Sequence, residues 1–157
     1  MKHTTLCYIE KDAKYLMLHR VKKENDINKD KWIGIGGKLK SNETIEECVL
    51  REVREETGLI LKNYKYRAEI LFCPNTEIEE TMHLFTATEF DGKVIENCDE
   101  GVLEWIDKEK VYNLPSWEGD KIFLEKIKTD CPFFKLTLEY DGDVLTKAVL
   151  DGKEISF

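Results

Sequence analysis

No stretch of the 157-residue sequence approaches the roughly 18 consecutive apolar residues needed to cross a bilayer. Met1-Lys2-His3-Thr4-Thr5 leads straight into a short mixed strand, without the apolar block of a secretory leader. Positive charge is also scarce: 24 Lys and Arg stand against 32 Asp and Glu, a formal net charge of −8. Nonspecific binding to nucleic acid or to an anionic membrane needs a positive field, so neither partner is expected. The five cysteines (Cys7, Cys48, Cys73, Cys98, Cys131) are odd in number and have no C-x-x-C spacing. That disfavours a disulfide framework and a zinc site and predicts core thiols in a reducing compartment, hence a soluble, cytoplasmic protein. Internal repeats and low-complexity tracts are missing too, and nothing marks an obligate protein partner. A chain of this length buries about two-thirds of its unfolded surface around one core, so one domain over residues 1–157 is expected.

What the chain does have is concentrated between Gly37 and Leu59, GKLKSNETIEECVLREVREETGL. The segment fits the spacing G-x5-E-x7-R-E-U-x-E-E-x-G-U, with U a bulky aliphatic, through Gly37, Glu43, Arg51, Glu52, Val53, Glu55, Glu56, Gly58 and Leu59. Average composition would produce its seven fixed identities about once in 10^8 starting points. Thr44 and Glu47 form a T-x-x-E capping box, and Gly58 is a natural left-handed stop. A helix of about three to four turns is predicted between them. At about 100° per residue, Glu52, Glu55 and Glu56 share an arc of about 100°, while Ile45, Val49 and Val53 recur on an apolar stripe. Crowded carboxylates raise one another's pKa unless a cation sits among them, and hard oxygen ligands suit Mg2+ or Mn2+. The same letters also allow a solvated face, because Glu47–Arg51 and Arg51–Glu55 are i,i+4 pairs of opposite sign. Gly34, Gly36 and Gly37 weigh towards a metal, since a glycine-rich turn beside an acidic face lets backbone carbonyls come close to an ion or a phosphate.

Around this segment the chain alternates strands and helices. Residues 4–10 and 14–20 read as a hairpin about Asp12-Ala13, and residues 21–31 as a polar loop. A second hairpin is predicted from 65–72 and 81–90 with a turn near Pro74-Asn75, a strand over 101–106, and an amphipathic helix over 119–128. Residues 133–140 and 144–150 form a last hairpin about Asp141-Gly142.

The Gly37–Leu59 segment is the Nudix box, and the chain resembles the Nudix hydrolases, in particular the MutT-like 8-oxo-dGTP diphosphatases. The residues 31–38 (KWIGIGGK), Cys98-Asp99-Glu100-Gly101, Leu103-Glu104-Trp105, Trp117-Glu118-Gly119-Asp120 and the terminal hairpin extend the resemblance over almost the whole chain. It implies an α/β fold, an α/β/α sandwich around a central mixed sheet. It also implies Mg2+-dependent hydrolysis of an oxidised purine nucleoside triphosphate to monophosphate and pyrophosphate, in sanitation of the nucleotide pool.

Carried over residue by residue, the resemblance makes Glu52, Glu55, Glu56, Glu100 and the backbone carbonyl of Gly36 the metal ligands. Arg51 and Glu43 would orient them, and Glu52 is the first choice of general base, with Glu55 or Glu100 as alternatives. Lys23 and Lys38 are candidates for the outer phosphates. Trp117 offers a face for a purine, and Asp120 an acceptor for the N1–H and N2–H2 edge of guanine. For this last pair a second reading stands: Trp117 anchors the following helix in the core and Asp120 sits at its N-terminus, where the dipole favours an acid. Two departures matter. Ile33 stands where mammalian-type relatives have asparagine, and Gly119 where they have a second acid. Pro74, fifteen positions after Leu59, leaves an ADP-ribose or ADP-sugar pyrophosphatase as the enzymatic alternative. A non-catalytic nucleotide-sensing module is the other, although the acids of the box are intact.

Overall fold

Alternation along the first strand sets the layout. In the computed structural model, which describes residues 2–22, 24–75, 79–96 and 98–157, β1 (Lys2–Lys11) sends Leu6 and Tyr8 into one core cluster and Cys7 and Ile9 into another. Successive strand residues point to opposite faces, so a strand that is apolar on both sides must be covered on both. The cover comes from two helices. α1 (Ile45–Thr57) packs Val49 and Val53 with Cys7, Ile9 and Phe85 on one face. α2 (Asp120–Ile127) packs Phe123, Leu124 and Ile127 with Tyr8, Ala68 and Leu136 on the other.

The sheet between them is mixed and follows the resemblance. The remaining strands are β2 (Lys14–His19), β3 (Trp32–Ile33), β4 (Ile60–Cys73), β5 (Glu80–Asp91), β6 (Val102–Asp107), β7 (Phe134–Asp141), β8 (Val144–Leu150) and β9 (Lys153–Ile155). Their order is β3-β2-β1-β5-β4-β7-β8-β9, with β6 also paired to β2. The three expected hairpins are present, β1/β2, β4/β5 and β7/β8, all antiparallel. Asp12 and Ala13 take positive φ in the first turn, and Gly142 does so in the last. Three pairings join segments far apart in sequence: β1 to β5 and β4 to β7, both parallel, and β2 to β6, which is antiparallel. Three elements lie outside the sequence expectation. β3 and β9 are too short to carry a periodic signal, and β4 starts at Ile60, where polar residues 62–65 break the alternation but still pair with β5. Four cysteines are buried, Cys131 is half-buried, and all five are free thiols. No helix among the described residues is long and apolar enough to cross a membrane.

α1 is fixed at both ends as its sequence dictates. The Glu47 N–H donates to Thr44 Oγ1 at 3.1 Å, and the Thr44 N–H donates to Glu47 Oε1 at 3.0 Å. Gly58 closes the helix at φ 82° with its N–H on the Arg54 carbonyl. Loss of an N-cap of this kind costs about 1 kcal/mol. Thr44→Ala is therefore expected to lower the unfolding free energy by about that amount, seen in urea as a lower midpoint with an unchanged m value. A loss below about 0.3 kcal/mol would show that the cap carries no weight.

Candidate active site

The loop before α1 lies so close to β1 that only glycine fits. A Cβ on Gly36 would stand 1.8 Å from the Thr5 carbonyl oxygen, and one on Gly37 would stand 2.4 Å from Glu52 Cδ. Backbone hydrogen bonds zip the two segments: Thr5 N–H to Gly37 O at 2.9 Å, Cys7 N–H to Ile35 O at 2.6 Å and Ile35 N–H to Cys7 O at 2.9 Å. This approach sets the glycine loop on the sheet and beside α1. A cavity of about 370 Å³ opens there, lined at one end by Gly36, Gly37, Lys38, Glu52, Glu56, Glu100 and Arg20. Its other end is lined by Phe72, Met82, Trp117, Asp120, Leu138 and Tyr140.

The acidic end is organised by two arginines. Arg51 holds Glu43 through two bonds, Nε to Oε2 at 2.6 Å and Nη2 to Oε1 at 2.9 Å, and donates from Nη1 to Glu52 at 2.7 Å and Glu55 at 3.1 Å. Its Nη2 also reaches the Lys38 carbonyl at 3.2 Å, tying helix to loop. The guanidinium pulls the Glu43 carboxyl down to about 2, assisted by the Lys40 N–H. Arg20, just past β2, pairs with Glu100 at 3.1 Å. Glu56 has neither arginine as a direct partner. Burial first, then Glu52 and Glu100, push its pKa up to about 8, against the pull of Arg20 and the Gly36 N–H. Its Oε2 is buried with no hydrogen-bond partner among the described residues.

The structure separates the three helix carboxylates. Glu52 and Glu56 line the cavity, whereas Glu55 is half exposed and turned outward with Arg51. Among the described residues no three carboxylate, imidazole or thiol side chains converge closely enough to hold an ion as they stand. The donor chemistry nevertheless fits a divalent cation. An orphaned buried carboxylate oxygen, two further carboxylates on the same wall and a side-chain-free loop are what a hard cation requires. Lys38 lines the cavity, while Lys23 lies outside the described residues.

At the other end, Trp117 is anchored in the core and also borders the cavity. It is 7% exposed, packed edge to face against Phe72 and Tyr140, and it still lines the cavity. Its indole N–H donates to Asn28 Oδ1 at 2.7 Å, and the Lys31 ammonium lies 4.5 Å from its ring centre. Asp120 lines the cavity as the first residue of α2, but burial pushes its carboxyl up to about 8, which Lys31 only partly offsets. Burial thus favours the neutral acid, which offers one donor and one acceptor, over the carboxylate with its two acceptors. Gly119 is explained by Leu138 and Tyr140: a Cβ there would stand 2.6 Å from Leu138 Cδ1 and 2.7 Å from the Tyr140 hydroxyl, which accepts the Gly119 N–H at 2.8 Å. Ile33 is half-buried and apolar in the cavity wall, and Pro74 is not among the lining residues.

Sequence reasoning missed Arg20, Ile27, Asn28, Phe72, Met82 and Tyr140. The strand residues among them carried only the signal of a buried strand face. Arg20, Ile27 and Asn28 belong to a polar loop that reaches the cavity only through the fold.

A family model for the NUDIX domain matches residues 2–127. The chain belongs to this family and is a Nudix hydrolase. It is 30% identical to the uncharacterised Nudix hydrolase YvcI of Bacillus subtilis over 80% of this chain and 78% of that one. It is 29% identical to the oxidized purine nucleoside triphosphate hydrolase of Danio rerio over 84% of this chain and 85% of that one. Among solved structures, the mutator MutT protein from Bacillus halodurans superposes with a TM-score of 0.84 at 28% identity, covering 96% of this chain and 98% of that chain.

The two buried acids give the fold a measurable pH dependence. Glu56 and Asp120 ionise near 8 in the folded chain and near 4.5 and 3.8 when exposed, so the folded state holds more protons between those values. Stability contributed by the neutral acids is complete below the unfolded values and is lost as pH rises through about 8. Thermal melts in chelator are expected to show Tm falling from pH 5 to pH 8, with a smaller fall in Asp120→Asn. A Tm that rises across this range in both proteins would refute the assignment.

Proposed function

We propose that this Nudix hydrolase cleaves purine nucleoside triphosphates, the oxidised guanine nucleotide 8-oxo-dGTP foremost, to the nucleoside monophosphate and pyrophosphate in the presence of Mg2+ or Mn2+. The observation that carries this reading is the shared cavity: an acidic wall beside a glycine loop at one end and a tryptophan with a buried acid at the other. A cavity lined in this way can take a polyphosphate and a base together. The name of the Danio rerio relative, with 85% of its length covered, supports the substrate class.

Glu56, Glu52, Glu100 and the Gly36 backbone would hold the cation, which when bound neutralises phosphate charge and acidifies an attacking water. Glu52, kept against the loop by Arg51, takes the proton of that water as general base. The water oxygen bonds to the β-phosphorus while the bond from that phosphorus to the α–β bridging oxygen breaks, so the bridging oxygen leaves with the monophosphate. Glu55 acts through Arg51, which it shares with Glu52 and Glu43. Lys38 lies where it can meet the outer phosphates. The base lies against Trp117, bordered by Phe72, Met82 and Ile33. Protonated Asp120 pairs with its edge, donating to O6 of a guanine and accepting from N1–H.

A substrate panel of 8-oxo-dGTP, dGTP, dATP, a pyrimidine triphosphate and ADP-ribose, run with Mg2+ and with excess EDTA, tests the reading by chromatography of the products. Purine triphosphates are expected to give monophosphate and pyrophosphate, with turnover abolished in EDTA and restored by Mg2+ or Mn2+. Faster turnover of ADP-ribose, or full activity in chelator, would overturn it.

Single substitutions separate the acids. Glu52→Gln and Glu56→Gln are each expected to lower kcat by at least about 10^2 in folded protein. Glu55→Gln, whose carboxylate lies outside the cavity, should lose markedly less. Equal losses in all three would show that Glu55 acts in the site directly.

A further inference from the structure

The loop between β2 and β3 touches both ends of the cavity, and its contacts run without a break from one to the other. Arg20 Nη1 pairs with Glu100 Oε2 at 3.1 Å, and Arg20 Nε donates to Asp26 Oδ2 at 2.6 Å. The second oxygen, Asp26 Oδ1, accepts the Asn28 N–H at 3.0 Å. The side-chain oxygen of Asn28 then accepts the Trp117 indole N–H at 2.7 Å. Asp26 is therefore a bridge: one carboxylate oxygen faces the acidic wall through Arg20, and the other sets the turn that presents Asn28.

Several features make this chain stiff. The side chains of Arg20 and Asp26 are only 14% and 8% exposed, so their pairing is poorly screened. The loop is closed at its base by Arg20 N–H to Lys31 O at 2.9 Å and Asp30 N–H to Arg20 O at 2.7 Å. On the acidic side, Gly101 packs where a Cβ would lie 2.0 Å from the His19 carbonyl, which fixes the Glu100 turn against the end of β2. On the base side, Lys31 lies over the Trp117 ring and pairs with Asp143 at 3.3 Å, and the Trp32 N–H donates to Pro115 O at 2.7 Å. Asp26 itself is not among the cavity-lining side chains, and Ile27, more than half exposed, is carried on the same turn at the cavity mouth.

We propose that Asp26 and Asn28 are positioning residues that couple the cation-binding wall to the base platform, so that a cation at Glu100 and Glu56 sets the placement of Trp117. The proposal rests on the reading of these two ends given above. A cation drawing on the Glu100 carboxylate weakens its hold on Arg20 and leaves the guanidinium more fully to Asp26. Any tightening of that pair acts on the turn and, through Asn28, on the indole. Because coupling between two sites is reciprocal, a base seated on Trp117 strengthens cation binding by the same factor. In a network of charge-assisted bonds of low exposure, such a change travels further than in solvent-exposed pairs.

The test needs no nucleotide. The chain has three tryptophans, hence three indole N–H resonances in a 15N-labelled sample, and Trp117→Phe identifies the one that matters. Titration with Mg2+ alone is expected to shift the Trp117 indole resonance of the wild-type chain. Asp26→Ala should abolish that shift. Asp26→Asn keeps the oxygen that accepts the Asn28 N–H but loses the charge facing Arg20, so it should leave the starting position of the resonance unchanged and still lose the response. The other two indole resonances report that each variant is folded. No Trp117 response in the wild type, or a wild-type response retained in either Asp26 variant, would overturn the proposal. A chain that shows the coupled shift but hydrolyses no purine triphosphate would overturn only the substrate reading.

Discussion

The contact on which the site depends is the passage of the Gly36 backbone across β1 at Thr5, with no room for a side chain between them. The carboxylates of the proposed site are referenced to that point. The loop is held to β1 by four backbone hydrogen bonds, the three above and Leu39 N–H to His3 O at 3.0 Å, and Arg51 clamps α1 to the loop through Glu43 and the Lys38 carbonyl. The Glu52 and Glu56 carboxylates are thereby set at a fixed height above the same strand whose Thr4 and Leu6 line the cavity floor. A loop one side chain further away would leave a helix with an acidic face and a separate apolar pocket, with nothing to join them.

Charge is arranged so that the acids stay poised. Glu43 is held ionised by Arg51, whereas Glu56 is buried, crowded and left without a partner for one oxygen. Beside the loop there is thus one carboxylate fixed for structure, and in the cavity wall one whose ionisation is unfavourable until something positive arrives. The same logic appears at the far end, where Asp120 is kept largely neutral by burial.

What the sequence revealed follows from how local each signal is. The capping box, the Gly58 stop, the apolar stripe of α1 and the first and last hairpin turns are each written within about a dozen residues and are present as read, while the turn after Pro74-Asn75 lies in part outside the described residues. The fold class followed from the Nudix box because its residues bind helix to loop within a single segment. The pairing of β1 with β5, of β4 with β7 and of β6 with β2 joins segments far apart, and no periodicity encodes it. The site divides the same way. Glu52, Glu56 and Gly36 sit on the cavity because the box places them there. The outward turn of Glu55 depends on Arg51, the neutral state of Asp120 on burial from several elements, and the reach of Arg20 and Asn28 on a loop whose course no motif marks.

The packing of Tyr140 against Gly119 carries a lesson about how such pockets diverge. The phenol fills the place where a side chain at position 119 would point, and its oxygen is engaged by the backbone there. Installing a second acid beside Asp120 alone would drive a carboxylate into an aromatic ring and strand a polar group in the interior. Truncating Tyr140 first would instead open a void in the core and leave the Gly119 N–H without its acceptor. Either change taken alone costs stability, and the two together still leave Leu138, whose Cδ1 would stand 2.6 Å from a Cβ at position 119. Positions 119, 138 and 140 are therefore expected to exchange together over evolutionary time, and the one-acid and two-acid pockets form separate neighbourhoods in sequence space with a barrier between them.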